Sequence, residues 1–118
     1  MTFGQAISSG LANLTNFEGR SSRAAFWYWV LLIFIVHLVD YLIFWRLGGF
    51  LGFIGFLISL VLLLATLAVG CRRLHDTGKS GWLQLLWIIP CIGEIILIVF
   101  WVMPGDPAAN TYGPPPTA

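Results

Sequence analysis

Charged side chains are scarce in this chain, so the places where they gather are informative. Phe17-Glu18-Gly19-Arg20-Ser21-Ser22-Arg23 precedes the first long apolar stretch. Arg72-Arg73-Leu74-His75-Asp76, with Lys79 close behind, follows the second. If both runs meet the same membrane face, Arg20, Arg23, Arg72, Arg73 and Lys79 converge with Glu18, His75 and Asp76 around one end of a helical bundle. Arginine binds phosphate through a fork of N–H donors, so such a rim would hold an anionic lipid headgroup or an acidic partner. The plainer reading is a topological signal with local ion pairs, Glu18 with one arginine and Asp76 with another. Juxtamembrane cations are common, and surface pairs contribute little.

A second constellation sits inside the apolar stretches. His37 and Asp40 are three residues apart and share a helix face. Glu94 lies in the third stretch. Counted along helices from Phe26 and from Trp82, His37 and Glu94 both fall roughly 17 Å from one membrane face. Charged groups at that depth usually pair or face the bundle interior. The chemistry would be a proton or ion relay; the simpler alternative is one structural hydrogen bond between helices.

The remaining reactive residues form no recognisable site. Cys71 and Cys91 should differ in depth by roughly 10 Å or more, beyond disulfide reach, and read as small packing residues. Cys71 and His75 lack the further ligands that zinc requires. His75 next to Asp76 is too little to define a catalytic dyad. No enzyme, metal or cofactor is expected.

Composition says what must position these groups. Of 118 residues, 58% are hydrophobic and only 9% charged, against about a quarter charged in soluble domains. Six Trp fit a preference for the bilayer interface. The net charge of +1 gives no footing for nucleic acid. The first 24 residues hold no apolar core, and the first apolar run is not followed by a cleavage pattern, so no cleaved signal peptide is expected.

The expected architecture is an all-α membrane protein, one domain over residues 1–118, with three transmembrane helices. The spans run over about 25–44, 50–70 and 82–103, each near the ~20 residues a bilayer requires. The first opens on Phe26-Trp27-Tyr28-Trp29 and closes on Tyr41, Trp45 and Arg46, two aromatic belts. Gly48, Gly52, Gly55, Ser59 and Thr66 make a stripe of small residues on the second, the kind that lets membrane helices pack closely. Its partner would be a helix of the same chain or of a second copy. The polar connection Cys71–Gly81 contains a turn at Asp76-Thr77-Gly78 and a helix cap at Ser80. Pro90 should kink the third span; a re-entrant hairpin is the alternative. Before the spans, Phe3, Ile7, Leu11 and Leu14 define one face of an amphipathic helix over 3–14, lying at the membrane surface. The tail, 104–118, should lack regular structure. Five cations at the rim against Arg46 alone place the N-terminus and the 71–81 connection in the cytoplasm, and three full spans would place the tail outside.

The motifs now assembled are Phe17-x-Gly19-Arg20-x-x-Arg23 with Phe26-Trp27, Arg72-Arg73-Leu74-His75-Asp76-x-Gly78-x-Ser80-Gly81-Trp82, and Pro104-Gly105 with Asn110-x-Tyr112-Gly113. This pattern resembles the DUF805 family of small bacterial inner-membrane proteins, over nearly the whole chain. The resemblance implies an inner-membrane location and a small helical bundle, and no reaction. His37, Asp40 and Glu94 lie outside its motifs. The polar tail motif would reach the basic rim only if the third segment were re-entrant.

The leading functional expectation is a non-enzymatic module binding membrane lipids, or a membrane protein partner, through the rim. The alternatives are a small oligomeric channel or transporter subunit built on His37, Asp40 and Glu94, and an enzyme at the lipid interface using His75 and Asp76.

Overall fold

Thr2 starts the fold with a capping box. Its hydroxyl accepts from Gln5 N (3.1 Å), and the Gln5 side chain accepts from Thr2 N (2.8 Å). The computed structural model describes residues 2–116, without the side chains of Phe44 and Trp45. The belt position expected of Trp45 and the last two residues of the 104–118 tail lie outside the described residues.

Helix α1 spans Phe3–Ala12. It does not lie free with Phe3, Ile7, Leu11 and Leu14 as its buried face. Ala6 and Gly10 are the buried positions, and Leu11 is exposed. The cause is packing on helix α2, Arg23–Val39. Small residues let α1 approach closely: any side chain at Gly10 would overlap the Trp29 indole. Phe3 meets Tyr28 edge to face at 5.9 Å.

Ser22 caps α2 by accepting from Ala25 N (3.1 Å). The helix runs on through a π-helical turn, Asp40–Phe44, into the short α3, Trp45–Leu47. Gly48 and Gly49, both at positive φ, reverse the chain. Helix α4 then spans Gly49–Asp76. Among the described residues, Arg23–Ile43 and Gly49–Asp76 are the two helices long and apolar enough to cross a membrane. Their outer faces are apolar, with Phe34 67% and Phe50 76% exposed. The helix that carries the expected second span over 50–70 continues six residues beyond it: the Cys71–Asp76 part of the supposed connection is helix. Nothing there breaks a helix until Gly78, and segments 13–21 and 101–113 of the chain accept from most of its polar side chains.

The third segment departs from expectation. There is no single helix kinked at Pro90. A 3₁₀ helix covers Gly81–Ile88, the chain breaks at residues 89–91, and helix α5 covers Ile92–Val102. Pro90 removes a donor, and Cys91 adopts φ 64°, so the helix cannot continue. The two arms fold against each other, and the contact needs Gly93, whose Cβ would strike the Leu86 carbonyl. Gln84 Nε2 bonds Leu67 O (2.9 Å) and Trp101 Nε1 bonds Gly70 O (3.3 Å). Both ends of this hairpin therefore lie at the C-terminal end of α4. Each arm is roughly 16 Å long, about half of a ~30 Å hydrocarbon core. The segment is thus a hairpin, the shape of the alternative reading, and it carries the tail back to the rim.

The core lies in the rim half of the bundle, around Trp29, Ala65, Leu74, Leu97 and Trp101. Trp29 Nε1 donates to Thr66 Oγ1 (3.1 Å). Of the small-residue stripe, Gly55 is buried, Thr66 holds Trp29, and Ser59 lines a shallow cavity with Ile35, Val36 and Asp40. That part of the stripe faces α2 of the same chain. Gly48 belongs to the turn instead.

Candidate functional site: an arginine knot at one end of the bundle

Three arginines meet where α2 begins and α4 ends. Ser21 N bonds Arg72 O (3.1 Å), which ties the segment before α2 to the last turns of α4. Arg73 is 0% exposed. Its guanidinium bonds Trp101 O (3.0 Å), Ser21 O (3.3 Å), Met103 O and the Asp76 carboxylate. Arg20 donates to Asp76 Oδ1 (2.9 Å), and to the backbone oxygens of Asp76 (3.3 Å), Asp106 (2.6 Å), Ala108 (2.9 Å) and Gly113 (3.1 Å). One buried carboxylate, 4% exposed, thus serves two arginines. Burying a guanidinium is costly unless its donors are satisfied; here carbonyls of three chain segments satisfy them.

The tail completes the knot. Asp106 N bonds Asp76 O (2.7 Å), and Asn110 Nδ2 bonds His75 O (3.0 Å). The Tyr112 ring stacks on His75 at 3.9 Å and 1°. Gly105 lies against the Asp76 carboxylate, where a Cβ would overlap it. His75 Nδ1 is 2.9 Å from Gly19 O; a carbonyl only accepts, so Nδ1 carries the proton.

Arg72 is used less completely. Its Nε bonds Ser21 Oγ (3.2 Å), and its Nη1 bonds Asn13 O (3.2 Å) and Asn16 O (2.5 Å). Its Nη2 has no partner among the described residues. Arg72 lines a cavity of about 330 Å³ together with Asn13, Asn16, Arg20, Ser22 and, at the mouth, Glu18. The cavity lies at the N-terminus of α2, where the first N–H groups lack intrahelical acceptors.

The structure brings Arg20, Arg72, Arg73, His75 and Asp76 together, as the shared rim requires. It leaves Arg23 exposed, with Nη1 3.4 Å from Val102 O. Lys79 lies over the Phe100 ring at 4.9 Å. Glu18 makes no ion pair among the described residues. His37 and Glu94 do not meet. His37 Nδ1 bonds Ile33 O of its own helix (2.8 Å), and Glu94 caps α5 by accepting from Cys91 N (3.1 Å). Each polar group finds backbone one turn away, so no interhelical pair is needed. Asp40 opens the π-helical turn one turn beyond His37, half-buried, with its backbone N–H on His37 O. The cysteines are unpaired, as expected; Cys71 is buried, but Cys91 is exposed rather than packed.

Sequence reasoning missed Ser21, Asp106 and Asn110 as members of the knot, and Cys71, whose Sγ is 3.5 Å from His75 Nε2. The tail motif and the Cys71/His75 spacing of one helical turn were the available signals.

The chain matches the family described as "Protein of unknown function (DUF805)" over residues 14–114. It is 37% identical to the inner membrane protein YhaH of Escherichia coli (strain K12) over 110 residues, 90% of this chain and 91% of that one. It is 38% identical to the inner membrane protein YhaI of the same strain over 108 residues, 92% of each chain. No solved structure matches significantly.

Proposed function

The chain belongs to the DUF805 family, of unknown function, and on that premise we propose that it is a non-enzymatic inner-membrane module holding an anionic lipid headgroup at its rim. In this reading α2 and α4 cross the bilayer and the hairpin enters and leaves by one face. The N-terminus, the 77–80 turn and the tail all lie on the cytoplasmic side. The cation asymmetry supports that orientation, since Arg46 alone is at the far end.

The carrying observation is the free edge of Arg72 in the cavity at the start of α2. Most rim arginines spend their donors on protein carbonyls, so charge count alone does not make an anion site. At this cavity the accessible Nη2 edge of an otherwise buried arginine, the Ser22 hydroxyl and the positive end of α2 face one space. A phosphate fits that chemistry. The channel reading has less support, because His37 and Glu94 each bond the backbone of their own segment and not each other.

The test is lipid retention in mild detergent, read by native mass spectrometry. Glu18→Gln removes the one carboxylate at the cavity mouth and should raise retained phosphatidylglycerol relative to phosphatidylcholine. Arg72→Lys keeps the charge but loses the fork and should lower it. If neither variant changes the ratio while both stay folded, the rim is structural and topological only.

A further inference from the structure

On the other side of His75 the end of the bundle holds a second cavity, of about 550 Å³, between α4, the start of the 3₁₀ helix and the tail. Its polar lining is Cys71, His75, Ser80, Gln84 and Tyr112; no lysine, arginine or carboxylate borders it. It adjoins an apolar groove of about 690 Å³ on the outer face of α2, α4 and the hairpin, also without an ionised side chain. Leu67, Gln84 and Leu85 border both spaces.

The acceptor in this cavity is incompletely used. In the neutral imidazole, with its proton on Nδ1, the Nε2 of His75 is an acceptor. Its nearest donor is the Cys71 thiol at 3.5 Å, a weak one whose single proton Phe17 O also accepts at 3.5 Å. Gly81 keeps the approach open: an ideal Cβ there would lie 3.5 Å from Nε2 and would overlap Cys71 Sγ. A ligand hydroxyl is a better donor than the thiol. The Ser80 hydroxyl accepts from Trp82 N (3.3 Å) and keeps its own proton to donate.

We infer that this cavity and groove together bind a neutral long-chain amphiphile with a free hydroxyl, of the diacylglycerol type, its hydroxyl on His75 Nε2 and its chain in the groove. The uncharged lining selects a head without net charge, because a phosphate there would be desolvated with no cation to meet it. The groove lies on helices apolar enough to cross a membrane, so the chain enters from the bilayer without passing through water. This site is separate from the Arg72 cavity, and each can fail without the other.

Cys71 is the reporter. In a Cys91→Ser background it is the single thiol, and its alkylation by N-ethylmaleimide in phosphatidylcholine nanodiscs measures access to the cavity. Dioleoylglycerol at about ten times its dissociation constant should slow alkylation about tenfold. Dioleoyl phosphatidic acid, with the same chains and a charged head, and triolein, with no hydroxyl, should leave the rate within about twofold at the same dose, as sites occupied to less than half do. Leu85→Trp, placed at the junction on an exposed position, should abolish protection by dioleoylglycerol. The inference is overturned if Cys71 does not react without added lipid, if dioleoylglycerol gives no protection, or if phosphatidic acid or triolein protects equally. The lipid series decides even if Leu85→Trp misfolds.

Discussion

Replacing Asp76 by Asn should loosen the tail before it unfolds the bundle. The carboxylate is 4% exposed and bonds Arg73 through one oxygen and Arg20 through the other. The amide keeps one acceptor and turns two N–H donors toward the second arginine. Removing one partner of a buried ion pair costs about 3–5 kcal/mol. The bond that the amide oxygen keeps returns about 1 kcal/mol, leaving a net loss of about 2–4 kcal/mol. Arg73 cannot rehydrate, because it is fully buried. Arg20 can, by releasing the carbonyls of Asp106, Ala108 and Gly113. The tail should therefore detach first. Denaturant unfolding in mild detergent measures the loss, and protease clipping within residues 104–116 measures detachment. Arg20→Gln should release the tail in the same way. The double variant should lose less than the sum of the singles, with a coupling of about 0.5–3 kcal/mol. An Asp76→Asn protein with unfolding free energy within about 0.5 kcal/mol of the parent and an unclipped tail would refute the reasoning.

Gly93→Ala should open the hairpin, since the new methyl meets the Leu86 carbonyl; a loss of about 1–3 kcal/mol is expected for overpacking, read from the unfolding midpoint, and a silent substitution would mean that the arms do not touch there. In a cysteine-free background, Thr111→Cys and Glu18→Cys, both exposed, should react with an impermeant maleimide from the same side of an oriented membrane; labelling from opposite sides would restore a full third span. His37→Ala and Glu94→Gln should each change stability by less than about 1 kcal/mol, because each side chain serves only its own helix and Gln keeps an acceptor for the cap. A large coupled loss in the double variant would revive the intramembrane pair.

How much of this was legible in the sequence differs from element to element. The helices α2 and α4 follow from uninterrupted apolar length, a local property that bilayer thickness converts directly into a span. Ser80 as a cap, and Gly78 in the turn that ends α4, also follow from local chemistry. The convergence of Arg20, Arg72, Arg73, His75 and Asp76 could be inferred because two long apolar stretches joined by a tight turn return the chain to its starting end. Whether the third segment spans or returns was not fixed locally. Pro90 predicts a break, and a kink and a hairpin both satisfy it. The choice rests on contacts distant in sequence: Gly93 against Leu86, Gln84 on Leu67, Trp101 on Gly70. That choice also decides what the arginines do. With the tail on the far side, their donors would be open to lipid phosphate. With the tail returned, carbonyls of residues 101–113 join Asn13, Asn16, Ser21 and Asp76 in occupying most of them, and the free edge of Arg72 remains. The sequence by itself determined a membrane bundle with its charges at one end, because hydrophobic length and cation asymmetry are sums along the chain. Only the tertiary structure decided which of those charges are spent internally, because a buried guanidinium takes whichever carbonyl the fold brings within hydrogen-bonding reach.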